Sequence, residues 1–257
     1  MLYIIATPIG NLEDLSHRAV RILQECDYVL AEDSRKSKVL LDRYGIEKKI
    51  YSFHKFKEKK VEQKILEDLE EGLDVALISD AGTPLIQDPG FSLVQACIDK
   101  GLAFTSILGA SSVIQALILS GMDPTRFQFI GFLPKKPGEH LRTLRKMLYY
   151  DGTSIAFESP QRLVKTLAAI ERLDPDRPIA VAREMTKKFE ECRRGYVKDV
   201  KKHFEKKAPK GEIVLMVGQG KMKEEEIELE ELVPLLCENF ALNHKEAIKM
   251  AKKWKRK

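Results

Sequence analysis

The sequence predicts an α/β protein made of two successive α/β units followed by a helical tail. Short apolar runs rich in Ile, Val and Tyr recur along the chain, and segments with helical spacing of apolar residues separate them, the pattern of strands joined by crossover helices in a parallel sheet. Size and composition agree: 257 residues, 44% hydrophobic and 32% charged, suffice for two domains and exclude a disordered chain, a collagen-like repeat or a disulfide scaffold.

In chain order, strands are expected at Leu2 to Thr7, Tyr28 to Ala31, Ile50 to Phe53, Val75 to Ser79 and Ala103 to Leu108. Between them Leu15, Ala19, Ile22, Leu23 and Cys26 share one helical face, Val61, Ile65, Leu66 and Leu69 a second, and Phe91, Val94, Ala96, Cys97 and Ile98 mark a third helix. A helix from Ser111 to Ser120 then meets Gly121-Met122-Asp123-Pro124, whose turn chemistry sets a boundary. The second unit is expected to place strands at Phe127 to Gly131, Ser154 to Glu158, Ile179 to Arg183 and Ile213 to Val217, with helices near 139–150 and 160–172. Phe189 to Val197 reads as an antiparallel strand leading into a helix over Lys198 to Lys206. The domain division predicted is therefore 1–120, 121–222, and a basic helical tail over 223–257.

The longest apolar runs, Leu2 to Ala6 and Val113 to Leu119, are far shorter than the roughly 20 residues that cross a bilayer. The N-terminus enters its apolar run with no basic segment and meets Pro8 and Gly10, so it reads as a strand and not as an export signal. Cys26, Cys97, Cys192 and Cys237 contain no C-x-x-C pair and have no nearby histidine pair, the pattern of reduced thiols in a cytoplasmic protein with no zinc site. Formal charge is +5 overall but uneven: +3 over 1–60, −7 over 61–120, +8 over 121–220 and +1 over 221–257. A basic second half admits a polyanion such as RNA, and equally a surface of solubilising lysines.

Ligands of open α/β sheets bind beyond the carboxyl ends of strands. The first such loop, Thr7-Pro8-Ile9-Gly10-Asn11-Leu12, lacks the G-x-G-x-x-G of dinucleotide folds, and Pro8 has no amide to offer a pyrophosphate. The fourth, Ser79-Asp80-Ala81-Gly82-Thr83-Pro84-Leu85-Ile86-Gln87-Asp88-Pro89-Gly90, is a rigid loop with two carboxylates and two glycines. The fifth, Leu108-Gly109-Ala110-Ser111-Ser112, puts hydroxyls at a helix N-terminus, where they can also serve as caps. Together the three describe a site for a compact ligand with amino-acid and nucleoside parts. Phe157-Glu158-Ser159-Pro160-Gln161-Arg162, Arg183-Glu184-Met185-Thr186-Lys187 and Gly211-Glu212 add charged loops in the second half, where the carboxylates can equally be caps or ion-pair partners.

These stretches, with Glu32-Asp33-Ser34-Arg35, Ser120-Gly121, Gly131 to Pro134 and Arg194-Gly195, run in order over nearly 210 residues and resemble the class III, tetrapyrrole-methylase-like S-adenosylmethionine methyltransferases. Within that family they look like the branch that methylates the 2′-hydroxyl of a cytidine in small-subunit (16S) ribosomal RNA. The resemblance implies two α/β domains, S-adenosylmethionine in the cleft between them, a homodimer, and 16S rRNA in the 30S subunit as partner, with no membrane and no metal. It places the donor against Ile9, Asp80, Gly82, Thr83, Ile86, Ser111, Ser112, Phe157, Glu158, Arg183 and Glu212. Departures from the family pattern fall at Ser34, Gln87 and Gln161, and at His54-Lys55-Phe56-Lys57-Glu58, where a base replaces an acid.

Methyl transfer to a ribose hydroxyl needs in-line alignment and a group to receive the proton. Asp33, Lys187, Glu184 and Glu158 are the candidates, Asp33 and Lys187 foremost because each adjoins a cation able to hold phosphate. Arg35, Lys36, Lys55, Lys57, Lys135, Lys136, Arg142, Arg145, Arg162 and Arg194 are expected to touch RNA, with His54 and Phe56 interleaved as stacking partners. Rival readings are a methyltransferase of the same fold acting on a tetrapyrrole or a protein side chain, and a protein that binds the donor or RNA without catalysis.

Overall fold

The computed structural model describes residues 1–53, 58–220, 233–234, 237 and 243–254. The first half forms a five-stranded sheet from β1 (Leu2–Ile5), β2 (Tyr28–Ala31), β3 (Lys49–Ser52), β4 (Val75–Ile78) and β5 (Phe104–Ile107), in the order β3-β2-β4-β1-β5 with every pair parallel. Strand periodicity sorts its side chains into two cores. Val29, Ala31, Ala76, Ile78 and Ile5 meet α1 (His17–Glu25) and α2 (Ser34–Arg43) on one face. Leu2, Ile4, Tyr28, Leu30, Val75 and Leu77 meet α3 (Glu58–Glu70) and α4 (Phe91–Asp99) on the other.

α2 has no counterpart among the expected elements. Its sequence, SRKSKVLLDR, buries only Ser37, Leu40 and Leu41, too thin an apolar stripe to register as helical periodicity. Its start is fixed by Asp33, whose side chain accepts the Arg35 amide.

The second half forms a sheet of β6 (Phe127–Phe132), β7 (Thr153–Glu158), β8 (Pro178–Arg183), β9 (Glu191–Tyr196) and β10 (Ile213–Val217), in the order β6-β7-β10-β8-β9. Only β6 and β7 are parallel: β9 returns antiparallel to β8 as expected, and β10 runs antiparallel to both β7 and β8. The seven residues between β8 and β9 are too few for a crossover helix, which forces an antiparallel return. One face carries α6 (Pro137–Tyr149), α7 (Pro160–Leu173) and α8 (Val197–Lys206), with Leu144, Leu163, Leu167, Val200 and Phe204 packed on Val181, Ile213 and Leu215.

The opposite face is covered by α5 (Ser112–Ser120), expected as the last helix of the first unit. Val113, Ala116 and Leu117 pack with Ile9 and Met185 against Ile155, Ala180, Ala182, Val214 and Met216. The C-terminus of α5 ends on Gly121 at φ 66°, and the Arg194 guanidinium donates to the Leu119 carbonyl, with Nε at 2.7 Å. Residues 1–220 are one compact unit containing both sheets, and 221–257 a second. In that second unit α9 (His244–Trp254) opens on a reciprocal cap between Asn243 and Glu246 and buries Ala247 and Ala251 with Val233. Much of the expected tail lies outside the described residues.

Phe204 is 1% exposed and Tyr149 is 56% exposed. Phe204→Ala is expected to lower stability by about 3–5 kcal/mol and Tyr149→Ala by a few tenths. Equal urea midpoints for the two variants would contradict the packing described.

Candidate functional site

The loops at the strand ends are braced on one another. Thr7 and Gly82 exchange backbone hydrogen bonds of 2.9 and 3.0 Å, and the Thr7 and Ser79 hydroxyls hold the Ser79 and Gly82 carbonyls. Gly82 sits at φ 82° with Ile9 Cγ2 3.4 Å from where a Cβ would be. Thr83 donates to the Ala110 carbonyl at 3.1 Å, which ties the acidic loop to the start of α5. Further along, Leu85 and Gln87 adopt φ 71° and 76°, and the Gln87 amide lies over Gly131 of β6, 2.6 Å from where a Cβ would stand.

A second junction joins the halves. The Asn11 amide donates to Thr186 Oγ1 at 3.0 Å, and a Cβ on Gly10 would fall 2.4 Å from Lys187 Cγ and 2.9 Å from the Met185 carbonyl. Glycine is required there by close approach. The turn it abuts holds Glu184 and Thr186 at φ 49° and 63°. The four left-handed non-glycine residues among those described thus all lie in the 80–90 and 184–187 loops.

Between these loops lies a cavity of roughly 400 Å³. Ile9, Asp80, Gly82, Thr83, Ile86, Ser111, Ser112, Phe157, Glu158 and Glu212 all line it. Arg183 does not: it leaves the end of β8 toward Glu191, 2.6 Å from Nε, and Glu191 also meets His203 at 2.7 Å. A strand end has two faces, and Arg183 takes the one away from the cavity. Residues not anticipated from the sequence also line it, among them Phe132, Met185, Gly211 and Asp88. Phe132, at the end of β6, stacks edge-on to Phe157 at 5.2 Å. Gly211, at φ 84°, lies under Glu184 Oε1, which is 2.1 Å from where a Cβ would be.

Of the catalytic candidates, Glu184 and Glu158 line the cavity, and Glu184 is the less buried of the two. Burial alone would raise the pKa of Glu184, but hydrogen bonds from Lys187 and the Glu212 amide outweigh that and keep it below the usual value. Lys187 Nζ lies 3.1 Å from both Glu184 and Glu212. Burial would depress this ammonium, yet its hydrogen bonds to Glu212 and Glu184 dominate and raise its pKa, so it stays charged at neutral pH and cannot accept a proton. Asp33 is not a wall of the cavity. Its carboxylate takes Arg35 Nε and Nη2 at 3.0 and 2.9 Å, and these bonds, then the Arg35 amide, lower its pKa to about 2. With both oxygens engaged by Arg35 and no place on the cavity wall, Asp33 is not positioned to receive a proton there. Glu158, fully buried, receives Arg162 at 2.5 Å, the Ser159 amide at 2.7 Å and the Thr166 hydroxyl at 2.7 Å.

Arg162 is consequently committed, its remaining donors holding the Leu133 and Pro134 carbonyls at 2.8 and 2.9 Å, and Arg194 is committed to Leu119. Neither is a free cation for a phosphate, because each satisfies buried or helix-terminal acceptors. Lys36, by contrast, pairs with Asp80 at 2.7 Å on the cavity rim while staying 65% exposed, and Arg35 is 89% exposed. Lys135, Lys136, Arg142 and Arg145 form an exposed basic run entering and along α6. Lys55, Lys57, His54 and Phe56 lie outside the described residues.

The class of protein follows from fold and chain together. The sequence profile of the tetrapyrrole (corrin/porphyrin) methylases matches residues 1–201. Cobalt precorrin-4 methyltransferase, a cobalamin biosynthetic enzyme, superposes with a TM-score of 0.62 at 20% identity, covering 84% of this chain and 94% of that one, a likeness of fold. At the sequence level, a ribosomal RNA small subunit methyltransferase I from Thermotoga maritima is 45% identical over 218 residues, 84% of this chain and 97% of that protein. Another from Mesorhizobium japonicum is 44% identical over 227 residues, 88% of this chain and 77% of that protein. The chain belongs to the tetrapyrrole methylase family and, within it, to the ribosomal RNA small subunit methyltransferase I group.

The Asp33–Arg35 pair has a titration signature. Asp33 should titrate near pH 2 by carboxyl NMR, and Arg35→Ala should return it toward about 3.9. Its folded pKa is depressed, so its stabilising effect is present above the unfolded value and is lost as pH falls toward 2. An Asp33 midpoint unmoved by Arg35→Ala would refute the pairing.

Proposed function

We propose that this protein transfers the methyl group of S-adenosylmethionine to the 2′-hydroxyl of a cytidine in 16S ribosomal RNA, with the 30S subunit in the cytoplasm as its substrate. The observation that carries the reading is the 45% identity to a ribosomal RNA small subunit methyltransferase I over 97% of that relative's length. The cavity supports the donor. Apolar Ile9, Ile86 and Met185 stand beside carboxylates at 80, 184 and 212 and hydroxyls at 111 and 112, a wall suited to a ligand with a flat base, a sulfonium and an amino-acid end. Its volume falls within the range of small-molecule sites.

When bound there, S-adenosylmethionine supplies a methyl group already activated by a positive sulfur. The chain's task is alignment. Asp80 and Glu212 face the cavity and can hold donor hydroxyls or its ammonium, and Ser111 and Ser112 border the same wall. Glu184, ionised at neutral pH, is the carboxylate placed to accept a hydrogen bond from the incoming ribose hydroxyl and take its proton. Lys187 holds Glu184 and Glu212 in register and lowers the cost of negative charge between them. Asp33 acts indirectly, by fixing Arg35 and the start of α2 beside Lys36 and Asp80. Arg35, Lys36, Lys135, Lys136 and Arg142 then form the phosphate-contacting rim. The domain division at residue 120 and a homodimer belong to the same reading. Leu108, Ile114 and Ile118 expose an apolar strip, 83%, 45% and 68% accessible, at the end of β5 and along α5, which a second copy would cover.

Tritium from labelled S-adenosylmethionine should appear as 2′-O-methylcytidine in 30S subunits from cells lacking the enzyme. Label in another nucleoside, or none while the donor still binds, would overturn the substrate. Asp80→Ala should weaken donor binding at least tenfold, about 1.4 kcal/mol, by calorimetry. Glu184→Gln should lower kcat by roughly 10²-fold with donor affinity little changed, and a wild-type kcat would exclude it as proton acceptor.

A further inference from the structure

A second concavity of roughly 520 Å³ opens at the junction between the Gly10 loop and the 184–187 turn. Its lining includes Asn11, Glu13, Arg43, Thr186, Lys187 and Lys188. Lys187 is the shared element, since its ammonium reaches Glu184 and Glu212, which both line the donor-side cavity. A chain lying in this groove would therefore pass the group whose partners we place at the methyl-accepting hydroxyl.

The groove's chemistry is that of a polyanion site. Lys187 is neutralised by its two carboxylates, but Arg43, in the last turn of α2, and Lys188 take part in no ion pair among the described residues, against the single acid Glu13. Lys188 Nζ lies 5.8 Å from the centre of the Phe189 ring, and that ring is 65% exposed. A cation beside an uncovered aromatic ring is the pairing that single-stranded nucleic acids use, phosphate on the charge and base on the ring. The segment carrying both is held firm by the Thr186 amide on Glu190 at 2.6 Å, the Glu190 amide on the Lys187 carbonyl at 3.0 Å and the Asn11 amide on Thr186. Order in place before binding reduces the entropy lost when a flexible strand docks.

We infer that this groove binds the single-stranded RNA flanking the target nucleotide, with a backbone phosphate between Arg43 and Lys188 and a base stacked on Phe189. The inference rests on the reading of the protein as an RNA methyltransferase and adds the path of the strand. None of the three residues belonged to the basic set expected from the sequence.

The test is binding, with methylation of 30S subunits measured separately. A fluorescein-labelled single-stranded RNA spanning the methylated cytidine is titrated by anisotropy at several salt concentrations into wild type, Arg43→Ala, Lys188→Ala, Phe189→Ala and Phe189→Tyr. Each alanine variant should lose about tenfold in affinity and Phe189→Tyr almost none. The slope of log K against log salt should fall by about one for each cation removed and stay unchanged for Phe189→Ala. Donor affinity by calorimetry should remain that of wild type, which shows that the variants are folded. Wild-type affinity and slope in all variants, or no RNA binding by wild type, would overturn the groove. Wild-type label in 2′-O-methylcytidine would in either case leave the proposed reaction standing, and its absence would refute that reaction independently.

Discussion

The constraint on which the structure depends is that α5 buries its apolar face on the second sheet while its N-terminus remains part of the first sheet's loop system. Val113, Ala116 and Leu117 leave water against Val214, Met216 and Ala180, and Ile9 and Met185 close the same layer from either side. At roughly 1.5–3 kcal/mol for each large side chain fully buried, this layer is ample to hold two sheets in one fixed relation. The loops that line the cavity come from both sheets, so the cavity exists only in that relation. The Gly10 contact with the 184–187 turn and the Arg194 contact with Leu119 then lock the angle.

Electrostatics at the site follows one pattern. Each carboxylate near the cavity whose geometry is fixed has a cation or an amide assigned to it: Asp80 has Lys36 and the Asp33 amide, Glu158 has Arg162, Glu184 has Lys187 and the Glu212 amide. The pairs differ in exposure, and exposure sets what they do. Buried Glu158 and Arg162 anchor the loop after β6, because leaving either unpaired in that setting would be costly. Lys36 and Arg35 stay at the surface, where their pairing costs little to rearrange when a phosphate arrives.

Much of this was legible in the sequence. Tyr28–Ala31 and Ile213–Val217 form strands over the expected residues, because short runs of buried β-branched and aliphatic side chains bounded by turns leave little choice. The residues of the cavity wall were legible mainly through the family resemblance, since Asp, Gly and Ser at strand ends also serve as turns and caps, as Ser111 does for α5. What stayed hidden depends on tertiary direction. Arg183 sits in a strand-end motif like the others, but which face a terminal side chain takes is decided by Glu191 on the next strand. Arg162 and Arg194 look like any surface arginines in sequence, and only packing reveals the carbonyls they serve. The return of β9 was legible, but the insertion of β10 antiparallel between β7 and β8 depends on strand order, which apolar runs do not encode.

The left-handed residues of the two loops have a consequence for how this chain can change. Leu85, Gln87, Glu184 and Thr186 each hold a conformation costing about 1–3 kcal/mol, which glycine would adopt freely. A search for thermostable variants would find glycine attractive at all four. Yet Gln87 is the side chain over Gly131, Glu184 the one over Gly211, and Thr186 the acceptor for Asn11. Stability gained there would loosen the cavity wall, so backbone strain in these loops is a reserve that selection for heat resistance can draw on only by sacrificing turnover.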